Sequence, residues 1–265
     1  MTGTVELPQT QRTGPDYFDL RDALARLAQG EPLRFPPLEI VRARIEGREV
    51  TFCCNMQRDP VQKNHRAGRF FEAEELALLR DVLPKGLRML DVGANVGNHT
   101  LFFALVAGAA RIVPVEPNPL ALAPLVANIV LNGVQDVVEM GALGIGLSNA
   151  SEGGYGMKRH DRNLGATRMR AGRGDLQVHA GDDLFEDESF DFIKIDVEGM
   201  EMKVLAGLEK TIARCRPLIF VEVDDENAEA FGVWLAEAGY RTRHQMRHYG
   251  VNENYLIEPV PENER

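Results

Sequence analysis

The chain has 265 residues, 44% hydrophobic and 26% charged, with a formal net charge of −10. This is the make-up of a globular protein with room for one large domain or a domain plus an extension, and it excludes a disordered or membrane-spanning chain. The acidic total also argues against a long nucleic acid as partner.

The longest nearly uncharged apolar run, residues 101–110, stops at Arg111 and falls short of the ~20 residues that a bilayer span needs. The first residues carry no secretory signal pattern. The three cysteines, Cys53, Cys54 and Cys215, show no C-x-x-C spacing and point to a reducing, cytoplasmic location. Charge is unevenly spread: 0 over residues 1–87, −3 over 88–157, +5 over 158–173 and −12 over 174–265.

Residues 1–15 lack periodicity and read as a flexible tail. Residues 16–27 carry apolar side chains at helical spacing, and Pro32, Pro36 and Pro37 then break the chain. Residues 38–45 and 50–55 flank Glu46-Gly47 as a β-hairpin, and residues 70–83 return to helical spacing. Residues 16–87 therefore form an N-terminal helix and hairpin extension, and residues 88–265 a second, larger unit.

In that unit short apolar runs at 89–92, 112–115, 137–140, 190–195 and 218–223 alternate with helical patterns at 96–106, 119–131, 201–213 and 227–238. Such alternation predicts an α/β doubly wound, mostly parallel sheet, closed by an antiparallel pair at 240–244 and 254–258. Pro124 should kink or delay the helix over 119–131.

The first strand runs into Asp91-Val92-Gly93-Ala94-Asn95-Val96-Gly97-Asn98. Ligands of open α/β sheets bind at such strand ends, where glycine lets the backbone approach closely. A dinucleotide fingerprint G-x-G-x-x-G would need glycine at positions 95 and 98, and both are asparagine. Glu116, 19 residues after Gly97, is placed to accept hydrogen bonds from ribose hydroxyls of an adenosine-type ligand. The fourth strand ends in Lys194-Ile195-Asp196-Val197-Glu198-Gly199. Asp196 and Glu198 there can act on a cofactor, orient an acceptor hydroxyl or take its proton, although the same residues also suit a helix N-terminus.

The D-x-G-x-x-x-G turn resembles the glycine motif of class I S-adenosylmethionine-dependent methyltransferases, and the chain resembles their FkbM family in particular. The resemblance rests on residues 91–98, Val115-Glu116-Pro117-Asn118-Pro119, Asn128, Leu131-Asn132, Asn163-Leu164-Gly165-Ala166 and Asp182-Asp183-Leu184. It continues through Lys194-Ile195-Asp196-Val197-Glu198-Gly199, Arg216-Pro217 and Asn254-Tyr255-Leu256. It implies a Rossmann-like class I methyltransferase domain over 88–265, with strand order 3-2-1-4-5-7-6. It also implies methyl transfer from S-adenosyl-L-methionine to a hydroxyl oxygen of a sugar, glycan or natural product. The cofactor is expected on Asp91, Gly93, Ala94, Asn95, Gly97, Asn98, Glu116, Pro117, Asn118 and Asp196, with Asp91 favouring its ammonium group. Ala142 and Leu143 are expected near the adenine. Phe71-Glu72 matches the family's aromatic-acid pair, which adds Glu72.

Lys158, Arg159, Arg162, Arg168, Arg170 and Arg173 form a basic island that follows Gly153, Gly154 and Gly156. It reads either as a mobile lid recognising an anionic small-molecule or glycan acceptor, or as a solvated loop balancing the acidic half. Candidate bases are Asp196, Glu198 and His160. Asp196 and Glu198 have the hard oxygens that suit Mg²⁺, but no metal is assigned, and His244 with His248 lacks a third zinc ligand. The alternatives to O-methylation are N-methylation of a small molecule, an NAD-dependent oxidoreductase and a non-catalytic binding protein on the same fold. Methylation of nucleic-acid amino groups is disfavoured, because no Pro-Pro-aromatic motif follows the fourth strand.

Overall fold

The computed structural model describes residues 18–157, 163–247, 250–261 and 263. The tail over 1–15, Lys158, Arg159, His160 and Arg162 of the basic island, and His248 lie outside the described residues.

Helix α1 (Leu20–Gln29) is capped by Asp19, whose carboxylate accepts from Asp22 N at 3.0 Å, and closes on Gly30 at φ 68°. Strands β1 (Glu39–Ile45) and β2 (Arg48–Cys54) pair antiparallel around Glu46 and Gly47. Both turn residues have positive φ, 49° and 80°, as the two-residue turn that suits strand twist requires. A helix not foreseen from the sequence, α2 (Pro60–Arg66), begins at Asp59 with proline in its first turn, and α3 (Ala73–Val82) follows.

Next come β3 (Arg88–Val92), α4 (Asn98–Phe102), β4 (Arg111–Val115) and α5 (Pro119–Leu131). The helix expected over 96–106 starts at Asn98 and widens into a π-helical turn at Phe103–Ala107. Helix α5 passes through Pro124 unbroken. Proline there leaves the Leu120 carbonyl without its helical donor, and Asn55 Nδ2 supplies one at 2.8 Å. On the same side Asn128 and Asn132 cover the open edge of β2. Cys53 N donates to Asn128 Oδ1 at 2.7 Å and Thr51 N to Asn132 Oδ1 at 2.8 Å.

The expected third strand over 137–140 is a correction. It touches β4 only through isolated parallel bridges, Ile112 to Val138 and Glu116 to Leu143, because a 3₁₀ turn at Met140–Ala142 interrupts the ladder. A second correction concerns the supposed lid. Strands β5 (Gly146–Ser148), β6 (Glu152–Met157), β7 (Met169–Arg170) and β8 (Leu176–Ala180) form a separate sheet in the order β5-β8-β6-β7. Gly153, Gly154 and Gly156 therefore belong to β6 and not to a loose hinge.

Helix α6 (Gly181–Leu184), β9 (Phe192–Ile195), α7 (Glu201–Gly207), α8 (Glu209–Cys215), β10 (Leu218–Asp224), α9 (Ala228–Ala238), β11 (Tyr240–Met246) and β12 (Asn252–Pro259) complete the chain. The single helix expected over 201–213 is split. The Asp182 carboxylate takes the N–H groups of Lys210 (2.9 Å) and Thr211 (2.8 Å) and starts a new helix there.

The main sheet has the order β11-β12-β10-β9-β3-β4, with β4, β3, β9 and β10 parallel, β12 antiparallel to β10, and β11 antiparallel to β12 at the edge. The chain is thus a mixed α/β, Rossmann-like fold. Phe52, Phe70, Leu76 and Leu79 of the extension share one buried cluster with Met89, Leu101, Phe192 and Phe220 of the sheet unit. Leu90, Val92, Ile193, Ile195 and Val221 point to the opposite face, against Val204, Leu205 and Phe231.

Candidate active site

A two-lobed cleft opens at the carboxyl ends of β3, β9 and β10. Its floor is where two backbone turns meet: a Cβ at Gly93 would lie 1.8 Å from the Asp196 carbonyl oxygen, and Gly93 has φ 79°. Only glycine permits that approach. Gly93, Asn95, Gly165, Asp196 and Glu198 line both lobes.

The smaller lobe, about 50 Å³, has largely apolar walls that include Val92, Val115, Leu147, Leu164, Met169 and Val197. Its buried acid is Glu116, whose carboxylate accepts from Asn95 N and Asn118 N, each at 2.7 Å. Burial pushes the Glu116 pKa up to about 7 despite those two hydrogen bonds.

The larger lobe, about 310 Å³, is acidic. Glu72, Glu75, Asp196, Glu198 and Glu222 all line it, together with Lys194, His99, Asn254, Phe71 and Phe220. Lys194 is 2% exposed. Its ammonium donates to Gly93 O at 2.6 Å and stands 3.4 Å from Asp91 Oδ1 and 3.5 Å from Asp196 Oδ2. Burial alone would lower the Lys194 pKa, but Asp196 and Asp91 outweigh it and raise it. Burial, then repulsion from Asp196, pushes Glu198 up to about 8 and Glu222 up to about 9. Burial likewise raises Glu75 to about 7 and, with Lys194 nearby, lowers His99 to about 3. Among the described residues five non-glycine residues have positive φ, and Glu72, Asn95 and Glu198 are three of them, at 54°, 50° and 51°. Such strained backbone tends to collect at functional turns.

Of the residues picked from sequence, Gly93, Asn95, Glu116, Pro117, Asp196 and Glu198 line the smaller lobe, and Ala94, Asn98 and Glu72 line the larger. Others line neither lobe. Asp91 is fully buried beneath Lys194, accepts from Thr100 Oγ1 at 2.6 Å and does not face the cleft. Gly97 packs on Leu125, where a Cβ would lie 2.7 Å from that side chain. Asn118 caps α5 through Leu120 N. Ala142 and Leu143 are fully buried in the core, and from their segment Gly146 and Leu147 reach the cleft instead. Arg168 is paired with Asp224 and Glu226, and Arg168, Arg170 and Arg173 line neither lobe. An anionic acceptor therefore finds no support in these three arginines. His160 lies outside the described residues.

Sequence reading missed Glu75, His99 and Glu222. Glu222 left a trace, as an acid inside the apolar run of β10.

Residues 91–250 match the methyltransferase FkbM domain. The chain belongs to the FkbM methyltransferase family. An FkbM methyltransferase transfers methyl groups, and the family implies an S-adenosylmethionine-type donor. This disfavours the oxidoreductase reading. This FkbM chain is similar to the AMB antimetabolite synthetase AmbE of Pseudomonas aeruginosa, 28% identical over 221 residues. That match covers 67% of this chain and 10% of the synthetase, so the chain spans about a tenth of that relative's length. It is also similar to the crystal structure of methyltransferase FkbM from Methylobacillus flagellatus KT, at 16% identity and TM-score 0.46, over 66% of this chain and 45% of that one. For the ribosomal protein L11 methylase from Lactobacillus delbrueckii subsp. bulgaricus the figures are 18% and 0.46, over 72% of this chain and 81% of that one. Among the described residues, no helix is long and apolar enough to cross a membrane.

Proposed function

We propose that the chain transfers a methyl group from S-adenosyl-L-methionine to a hydroxyl oxygen of a small natural-product or sugar acceptor. The observation that carries this reading is the joined cleft, in which an apolar lobe with one buried carboxylate opens directly onto a roomier, acid-lined lobe. The smaller lobe suits an adenosine: apolar walls for the base, and Glu116 for ribose hydroxyls. Asn95 Oδ1, buried there without a hydrogen-bond partner, is a further acceptor available to the donor molecule. Bound, that molecule supplies an electrophilic methyl group on a cationic sulfur. Asp196 and Glu198, on the rim shared by both lobes, favour positive charge at the junction.

The larger lobe receives the acceptor. Asp196 accepts a hydrogen bond from the acceptor hydroxyl and orients its oxygen, and the carboxylates of Asp196 and Glu198 are the groups that take the proton. A Glu198 pKa near 8 suits proton exchange close to neutral pH. Most of the acceleration comes from holding two reactants in line, since methyl transfer leaves little charge to stabilise. The resemblance to an antimetabolite synthetase supports a natural-product acceptor.

The test is turnover of S-adenosylmethionine with a panel of hydroxylated and aminated acceptors, read as a product mass raised by one methyl group. Asp196→Ala should abolish transfer, and Glu198→Gln should slow the chemical step more than it weakens donor binding by calorimetry. Full activity in the Asp196 variant overturns this mechanism.

A further inference from the structure

The larger lobe gathers carboxylates that are far apart in sequence. Asp196 and Glu198 leave the end of β9, and Glu222 comes from the adjacent strand β10. One oxygen from each lies within 4.8 Å of the others. Oxygens 2.1–2.4 Å from a shared centre are at most about 4.8 Å apart, so the spacing fits ligands of one hard divalent cation. Ionised carboxylates this close repel one another without a cation between them, and the one ammonium among the described residues lining this lobe is already committed. Lys194 serves Gly93 O, Asp91 and Asp196.

A second observation is independent of the acids. Asn254 sits directly across the β10–β12 ladder from Glu222, and register partners of an antiparallel pair share a face. It is 5% exposed and lines the same lobe. Its Nδ2 donates to Glu75 Oε2 at 2.9 Å, while its Oδ1 is buried with no hydrogen-bond partner. A buried amide oxygen left unpaired is costly unless a ligand completes it. An amide oxygen beside three carboxylates is a donor set for Mg²⁺, Mn²⁺ or Ca²⁺, and a poor one for softer metals.

We propose that Asp196, Glu198 and Glu222, with Asn254 Oδ1 beside them, form a binding site for one hard divalent cation. The remaining coordination positions face the lobe, open to water or to an acceptor oxygen. The site itself stands apart from the methyl-transfer reading. What rests on that reading is the consequence that a cation-bound hydroxyl is more acidic and so a better nucleophile.

Mn²⁺ titration followed by electron paramagnetic resonance on the full chain tests the site without any turnover. The wild type should bind a single Mn²⁺ per chain, displaceable by Mg²⁺, and show a raised melting temperature with the ion. Glu222→Gln should weaken binding by about tenfold or more, as loss of a charged ligand does, and Glu237→Gln, an exposed acid outside the lobe, should not. Circular dichroism reports whether Glu222→Gln is folded. If it is not, Glu198→Gln takes its place with the same expected loss. Absence of stoichiometric Mn²⁺ binding overturns the proposal, as does binding that neither variant weakens. Binding of a protonated amine with exclusion of Mn²⁺ also overturns it, and makes the lobe an ammonium pocket. Calorimetry with S-adenosylmethionine in the absence of added metal runs alongside. Donor binding without ion binding defeats the cation site alone, and ion binding without donor binding defeats the methyl-transfer reading alone.

Discussion

Glu116 shows how one residue can be legible in sequence while its energetics are not. Its place at the end of the second strand made it a candidate ribose partner, but only the fold reveals a carboxylate buried under two backbone N–H donors. Its pKa rises from about 4.5 unfolded to about 7 folded, with burial as the cause, opposed by those N–H groups and by Lys194. The folded state then binds the proton more tightly. The associated stability is fully present below pH ~4.5 and is lost as pH rises through 7, by up to about 3 kcal/mol. Urea unfolding at pH 5, 6, 7 and 8 should therefore show the wild type weakening with pH, and Glu116→Gln should weaken less. Equal slopes in the two proteins would count against a buried, proton-binding Glu116. Asp91 is the contrary case. The D-x-G pattern marks an acid at the end of the first strand, but nothing in the pattern shows that Thr100 and Lys194 are its partners.

Among the elements, those with long apolar runs were readable: α5, β10, and the hairpin with its Glu46-Gly47 turn. The second sheet was not. Its strands are two to six residues long, rich in glycine and polar side chains, and carry no alternation strong enough to separate them from a loop. The split between α7 and α8 was hidden for another reason, because the capping Asp182 lies far back in sequence. The contact that joins elements most directly is made by Asn98 at the start of α4. Its Oδ1 accepts from Phe71 N at 2.9 Å and lies 3.1 Å from His65 Nε2, and its Nδ2 donates to Phe71 O at 3.1 Å. Asn98→Ala strips all three and leaves buried backbone groups without partners, at a cost of about 3 kcal/mol. Denaturant titration measures it, and a loss under about 0.5 kcal/mol would show that the clamp is dispensable.

At the scale of the whole molecule, the extension before residue 88, expected as a cap and not as an independent domain, shares one buried cluster with the sheet unit. Phe52 meets Phe70 edge to face at 5.2 Å, Phe70 meets Phe102 at 5.4 Å, and Leu76 and Leu79 are fully buried in the same cluster as Phe192. Residues 88–265 expressed alone should aggregate or lack a cooperative melt, because Phe52, Phe70, Leu76, Leu79 and further large side chains of the extension are missing from their core. A sharp transition in that fragment would show that residues 88–265 fold without the extension. The larger lobe depends on the same integration. Glu75, His99, Glu222 and Asn254 converge from four separate elements, which explains why spacing along the chain never pointed to it.

That convergence crosses the limits of the family match. Pro60, Val61, Phe71, Glu72 and Glu75 form one wall of the larger lobe, and Val251, Asn252 and Asn254 form another. All eight fall outside residues 91–250, the span held in common with the family, whereas Gly93, Glu116 and Asp196 fall within it. The two flanks thus supply two walls of the lobe, while the rest of its lining, Lys194, Asp196, Glu198 and Glu222 included, lies within the matched span. Substitution at the flanks can therefore reshape two walls of the lobe while the Gly93–Asp196 floor stays in place.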